Sequence, residues 1–211
     1  MLDFVYKTKP YEHQSKALEE SWSAIDHALF LEMGCGKSKI LIDNIAILYN
    51  KGRIDSALIV APKGVYDNWV SGEIPIHLPD YIKARVVKWS PSETKKNQAV
   101  RESALEHTLD LTILVMNVEA FSTLKGTKFA GKFLLGKKSL FAVDESTTIK
   151  SPSARRTKNI VRLSKYAQYR RILTGSPVTP NYWAIVVTIA LGHGTLRCLI
   201  GRQGGAPLSR S

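Results

Sequence analysis

Apolar positions along the chain fall into short dense runs separated by longer amphipathic stretches. The runs predict strands at 28–32 (ALFLE), 56–61 (SALIVA), 84–89 (ARVVKW), 111–117 (LTILVMN), 139–143 (SLFAV) and 169–174 (YRRILT). Helical patterns lie between them, near 37–50, 64–76, 91–109, 118–137 and 153–167. A first helix reads from Pro10, a favourable first helical residue, to about Ile25. Several strands are continuous apolar runs, as expected where both faces of a sheet are covered. Strand and helix alternate, so the class is α/β, a parallel sheet with helices on both faces.

The pattern changes at about Pro180. The remaining NYWAIVVTIALGHGTLRCLIGRQGGAPLSRS has no clear period and ends in Gly, Arg and Ser. We read 1–179 as one domain and 180–211 as an irregular tail, truncated or frame-shifted. The longest apolar run, AIVVTIAL at 184–191, has eight residues. A membrane span needs about 20, so no membrane association is expected. The N-terminus MLDFVYKTKP has no apolar stretch of signal-peptide length.

Composition narrows the classes further. A chain of 211 residues, 44% hydrophobic and 23% charged, suits one globular domain and excludes wholesale disorder, collagen and a disulfide scaffold. The two cysteines, Cys35 and Cys198, have no paired-ligand spacing. Zinc is not expected, and a reducing compartment is. The net charge of +12 is lopsided: residues 146–211 carry eleven Lys and Arg and no acid. Such asymmetry suits a polyanion partner, or simply a solvated basic surface. Arg155, Lys158, Arg162 and Lys165 fall on one helical stripe, with Ile160, Leu163 and Ala167 opposite. That stripe suits DNA contact, a solvated face, or a face meant for another lobe.

The candidate chemistry sits where strands end. The first strand runs into Met33-Gly34-Cys35-Gly36-Lys37-Ser38 and then a helix. A strand, a glycine loop and a helix N-terminus present backbone N–H groups to a phosphate. Lys37 would reach the β- and γ-phosphates of ATP, and the Ser38 hydroxyl would ligate Mg²⁺. The strict GxxxxGK[ST] pattern requires glycine at position 31, which is Leu31. Later, the run 139–143 ends in Asp144-Glu145. Asp144 would hold Mg²⁺, and Glu145 would position and deprotonate the attacking water. Pro62-Lys63 and Asn117 follow other strands, at positions that suit a DNA backbone phosphate or an ordinary turn. Thr174-Gly175-Ser176 ends the last strand, placed either as a turn or as a link between the γ-phosphate site and nucleic acid.

Taken together these motifs resemble superfamily-two helicases, and within them the Swi/Snf-type DNA translocases, their phage and prokaryotic branch in particular. The resemblance covers roughly residues 9–180. Pro10-Tyr11-Glu12-His13-Gln14 resembles the Q motif, which implies Gln14 on the adenine edge. Residues 32–38 resemble motif I, whose family form tolerates the missing first glycine. Ile59-Val60-Ala61-Pro62-Lys63, with Asn68-Trp69 beyond, is similar to motif Ia, and Met116-Asn117-Val118-Glu119 stands in the place of motif Ib. Asp144-Glu145-Ser146-Thr147 resembles a DEAH box with Ser-Thr for Ala-His, and Leu173–Thr179 resembles motif III. The resemblance implies a RecA-like P-loop NTPase fold, ATP and Mg²⁺ as cofactors, and duplex DNA as a non-specific partner. It also implies a second RecA-like lobe carrying arginine fingers, which this sequence does not contain and another chain could supply. A cytoplasmic location, in a prokaryote or a phage-infected host, goes with it. The expected function is the ATP-binding lobe of a DNA-dependent ATPase. The alternatives are a stand-alone P-loop ATPase or kinase with no nucleic-acid role, and an inactive nucleotide-binding fragment.

Overall fold

The computed structural model describes residues 4–144 and 153–175 and the backbone of 197–201. The elements in chain order are α1 (Glu12–Ser21), β1 (Asp26–Leu31), α2 (Lys37–Asn50), β2 (Ser56–Ala61), α3 (Tyr66–Asn68), a π-helical turn (Trp69–Glu73), α4 (Ile74–His77), β3 (Ala84–Lys88), α5 (Lys95–Leu105), β4 (Leu111–Asn117), a 3₁₀ turn (Val118–Ser122), α6 (Leu124–Leu134), β5 (Ser139–Val143), α7 (Arg155–Ser164), β6 (Tyr169–Thr174) and β7 (Arg197–Gly201). The sheet order is β3-β4-β2-β5-β6-β1-β7, and every pairing is parallel. The expected parallel α/β architecture is therefore present.

Alternation along the strands explains the two covered faces. Ala57, Ile59 and Ala61 of β2 face one core, with Ile113 and Val115 of β4 and Leu140 and Ala142 of β5. Leu58 and Val60, Leu114 and Met116, and Phe141 and Val143 face the other. The first core is closed by α1, α2 and the segment from Trp69 to Ile82. The second is closed by α5, α6 and α7, with Trp89, Phe121 and Phe133 as its largest members. The α7 stripe behaves as its spacing predicts: Arg155, Lys158, Arg162 and Lys165 are exposed, while Ile160 and Leu163 are buried.

Departures from the sequence expectation have local causes. β1 begins at Asp26, two residues before the apolar run, because the buried Asp26 carboxylate accepts a two-pronged hydrogen bond from Arg170 on the neighbouring β6. The predicted helix at 118–137 is split. Asn117 caps the 3₁₀ turn through Ala120 N–H, and Thr123 caps α6 through Gly126 N–H. α5 starts only after Thr94, whose hydroxyl accepts from Asn97 N–H. Within the tail expected to be irregular, Arg197–Gly201 forms a strand beside β1, extending the sheet; the rest of 180–211 lies outside the described residues. Among the described residues no helix is long and apolar enough to cross a membrane.

Because all strands are parallel, their C-terminal ends share one edge. Register places Phe30 beside Thr174, Val143 beside Val60, and Ala61 beside Asn117. Ligand sites of open α/β sheets form outside this edge.

Candidate functional site

The phosphate loop spans the gap between β1 and α2. Gly34 and Gly36 have φ of 84° and 73°, a region that side chains with a Cβ strongly disfavour. A Cβ on Gly36 would also lie 2.2 Å from Gln14 Nε2. α2 starts at Lys37, so its unpaired N–H groups and positive dipole end face the loop. Lys37 Nζ donates to the carbonyls of Leu31 (2.9 Å) and Glu32 (3.0 Å), which folds the ammonium into the loop.

A cleft of about 510 Å³ opens in front of the loop. It is lined on one side by Gly34, Gly36, Lys37 and Ser38, and on the other by Asn68, Trp69, Glu73, His77 and Asp144. Lys37, Ser38 and Asp144, the predicted phosphate and metal residues, thus converge on one space from two segments more than 100 residues apart, the start of α2 and the end of β5. Ser38 and Asp144 offer hard oxygen donors beside a cationic loop, a donor set that fits Mg²⁺ bound to a polyphosphate. Asp144 N–H donates to Val60 O at 2.8 Å, which continues the β5–β2 ladder and fixes where the side chain departs. Its Oδ2 accepts from Trp69 Nε1 at 2.9 Å.

Gly175 closes the back of the loop. A Cβ there would stand 3.4 Å from Met33 N and 3.6 Å from Lys37 Nζ. The run after β6 therefore touches the phosphate loop directly, and Thr174 is fully buried behind it. Glu145 and Ser176 lie outside the described residues.

Gln14 is buried, and both ends of its amide are engaged. Oε1 accepts from Tyr11 N–H at 2.9 Å, and Nε2 donates to Cys35 O at 3.3 Å. It ties the start of α1 to the phosphate loop. The adjoining hollow is lined by Tyr11, His13, Glu32, Met33, Gly34 and Cys35. The Tyr11 and His13 rings are stacked there with centroids 5.9 Å apart. Pro62 and Lys63 follow β2 at the same sheet edge, and Lys63 is exposed. Asn117 ends β4, and its side-chain oxygen is occupied by Ala120 N–H at 2.8 Å.

Two features of the site were not legible in sequence. In sequence Trp69 stands only at the end of the motif Ia-like run, yet it holds Asp144 from a position 75 residues away. Its place beside Asn68 in the motif Ia-like run was the available signal. The other is a polar group behind the cleft. Lys39 and Asp43 form a buried ion pair at 2.7 Å one turn into α2. Burial pushes the Asp43 carboxyl up to about 6 against the lowering effect of Lys39. His77 meets Thr8 Oγ1 at 2.7 Å, and burial, with Lys39 nearby, lowers its pKa.

Comparison with known proteins bears on the family and the fold. The chain is 28% identical over 151 residues to the zebrafish (Danio rerio) SWI/SNF-related matrix-associated actin-dependent regulator of chromatin subfamily A containing DEAD/H box 1A, covering 71% of this chain and 14% of that protein. It is 27% identical over 166 residues to the ATP-dependent helicase fft2 of Schizosaccharomyces pombe, covering 75% of this chain and 12% of the relative. The chain thus spans less than a fifth of the length of either. In fold it is similar to the Sulfolobus solfataricus SWI2/SNF2 ATPase core in complex with dsDNA, with a TM-score of 0.65, 18% identity, and coverage of 91% of this chain and 38% of that one. It is also similar to the UvsW helicase from bacteriophage T4, with a TM-score of 0.63, 14% identity, and coverage of 91% and 61%. The family model of the SNF2-related domain matches residues 14–193, from the glutamine of the first helix to beyond the last expected motif, and the chain belongs to that family.

Proposed function

We propose that the chain is the ATP-binding lobe of a DNA-dependent ATPase, in which hydrolysis drives movement along duplex DNA once a second lobe closes on it. The observation that carries this reading is the convergence of Lys37, Ser38 and Asp144 on one cleft, with Gly175 against the loop behind them. Mg²⁺, when bound, would neutralise charge on the β- and γ-phosphates. Ser38 and Asp144 would hold it, in keeping with their oxygen donors. The loop N–H groups from Gly34 to Ser38 would bind the phosphates at the N-terminus of α2. Lys37 has three donors, two of them now on loop carbonyls, and would turn the ammonium toward the γ-phosphate.

Glu145 would take the proton of the attacking water. The purine would lie against the Tyr11–His13 stack, with Gln14 bracing the loop beside it. Lys63, Pro62 and Asn117, at the same edge, would face the DNA backbone, and their contacts carry no base information. Thr174, Gly175 and Ser176 would relay the state of the phosphate site to that DNA face. Two relatives carry the words helicase or chromatin regulator in their names, and one similar structure was solved with duplex DNA, which supports DNA as the partner.

The deciding experiment is calorimetry of Mg·ATP with the wild-type chain and Lys37→Ala. We expect measurable binding in the wild type and a loss of at least about tenfold in the variant, since a charged hydrogen bond to phosphate is worth roughly 1.5–3 kcal/mol. Equal affinities would remove the loop from the site.

A further inference from the structure

We propose that Trp69 is a positioning residue for Asp144, fixing the carboxylate that would hold Mg²⁺; the inference rests on the nucleotide-binding reading above. The indole Nε1–H lies 2.9 Å from Asp144 Oδ2. An indole nitrogen can only donate, and a carboxylate acceptor makes the bond charge-assisted. Trp69 is 2% exposed, so water does not compete for its N–H, while Asp144 is half-buried at the cleft wall. Its ring is packed in the core formed by α1, α2 and β2, which leaves the donor little freedom.

The backbone at this point is itself unusual. Trp69 opens the π-helical turn Trp69–Glu73, inserted between two short α-helical pieces. Widened turns of this kind are rare overall and frequent at functional sites. Asn68 Nδ2 donates to Glu73 Oε1 at 3.1 Å across the turn, holding it in shape. A tryptophan serving only the core could satisfy its N–H on any nearby carbonyl. This one is directed at Asp144, the carboxylate that would hold the metal in the proposed reading. Orienting partners of metal ligands are worth roughly ten- to a hundredfold in metal affinity.

The same segment links two regions. From α3 to α4 it begins three residues after Lys63, on the expected DNA face, and ends at His77 in the nucleotide cleft. Trp69 is the point at which that segment touches Asp144.

The test compares the 211-residue wild type with Trp69→Phe, which keeps a ring and removes the N–H. ADP affinity is measured by calorimetry as Mg²⁺ is titrated. We expect equal ADP affinity without Mg²⁺, and a Mg²⁺ midpoint raised about tenfold in the variant. ADP binding with an unchanged Mg²⁺ midpoint overturns the positioning role alone. A wild type that binds no ADP at all overturns the nucleotide reading and the positioning role with it. A second measurement reads the hydrogen bond in the wild type itself. The Trp69 indole N–H resonance of the wild type is followed by NMR, with assignment from the peak missing in Trp69→Phe or, if that unfolds, in Trp69→Tyr. It should move in Asp144→Asn and again on addition of Mg·ADP. A resonance that stays in place in both overturns the proposal.

Discussion

Single residues in this lobe act through what surrounds them. Asp43 is 1% exposed and pairs with Lys39 at 2.7 Å, yet burial raises its carboxyl to about 6. In an unfolded chain the same group titrates near 3.8. Between those values the native state holds a proton that the unfolded state has lost. The Asp43 contribution to stability therefore grows as pH falls from above 6 toward 4, and diminishes as pH rises through 6. Asp43→Asn removes that proton uptake. We expect the wild type to gain in melting temperature relative to Asp43→Asn when pH is lowered from 7.5 to 5. Parallel melting curves across that range would show that Asp43 titrates at its ordinary value. The pair itself was invisible in sequence, because an i,i+4 lysine and aspartate on a helix reads as a surface pair. Only the packing of α2 between α1 and the sheet makes it a buried one.

Elements are held by a few polar anchors as much as by the two apolar cores. Arg171 on β6 is 1% exposed. It donates to Asn44 Oδ1 (2.8 Å) on α2, to Arg170 O (2.8 Å), and to Ser21 O (3.2 Å), Trp22 O (3.4 Å) and Ile25 O (3.2 Å) at the end of α1. One guanidinium thus caps the C-terminus of α1 and ties it to α2 and the sheet. Burial brings its pKa down to about 9, still well above neutrality, so it stays charged there. Arg171→Met keeps much of the volume and strands the carbonyls and the Asn44 amide. We expect a loss of about 2–4 kcal/mol, read from the denaturant midpoint. A midpoint within experimental error of wild type would mean that water replaces the guanidinium. Since α1 carries Gln14 against the phosphate loop, weaker nucleotide binding should accompany the loss. In sequence, YRRILT read as a strand with two cations, with nothing to say that both are buried. Arg170 finds Asp26, and Arg171 finds carbonyls, only after β1 and β6 have paired.

At the scale of the whole molecule, the proposed function makes the site one half of a catalytic arrangement, the other half to come from a second lobe. Among the described residues that line the cleft no arginine is present, and Lys37 is the lysine. Phosphoryl transfer gains about 10³–10⁵ in rate from an arginine placed against the transferring group. We therefore expect the 211-residue chain to bind Mg·ATP but to release phosphate slowly, and duplex DNA to stimulate it little. Steady-state phosphate release with and without duplex DNA is the measurement. DNA-stimulated turnover of several per second would show that one lobe suffices. The order of elements, the parallel class and the converging motifs were legible because each depends on local information. Strand runs are dense in Val, Ile and Leu because both sheet faces are covered, and Gly34-Cys35-Gly36-Lys37-Ser38 needs its glycines for the backbone it adopts. What tertiary structure alone decided is who meets whom across long separations. Parallel pairing at one register brings Asp144 beside Val60 and Thr174 beside Phe30. The π turn aims Trp69 at Asp144, and a strand from the tail, Arg197–Gly201, adds to the edge at β1. Such contacts leave no period in the sequence, because their energy comes from partners that are adjacent only in the folded chain.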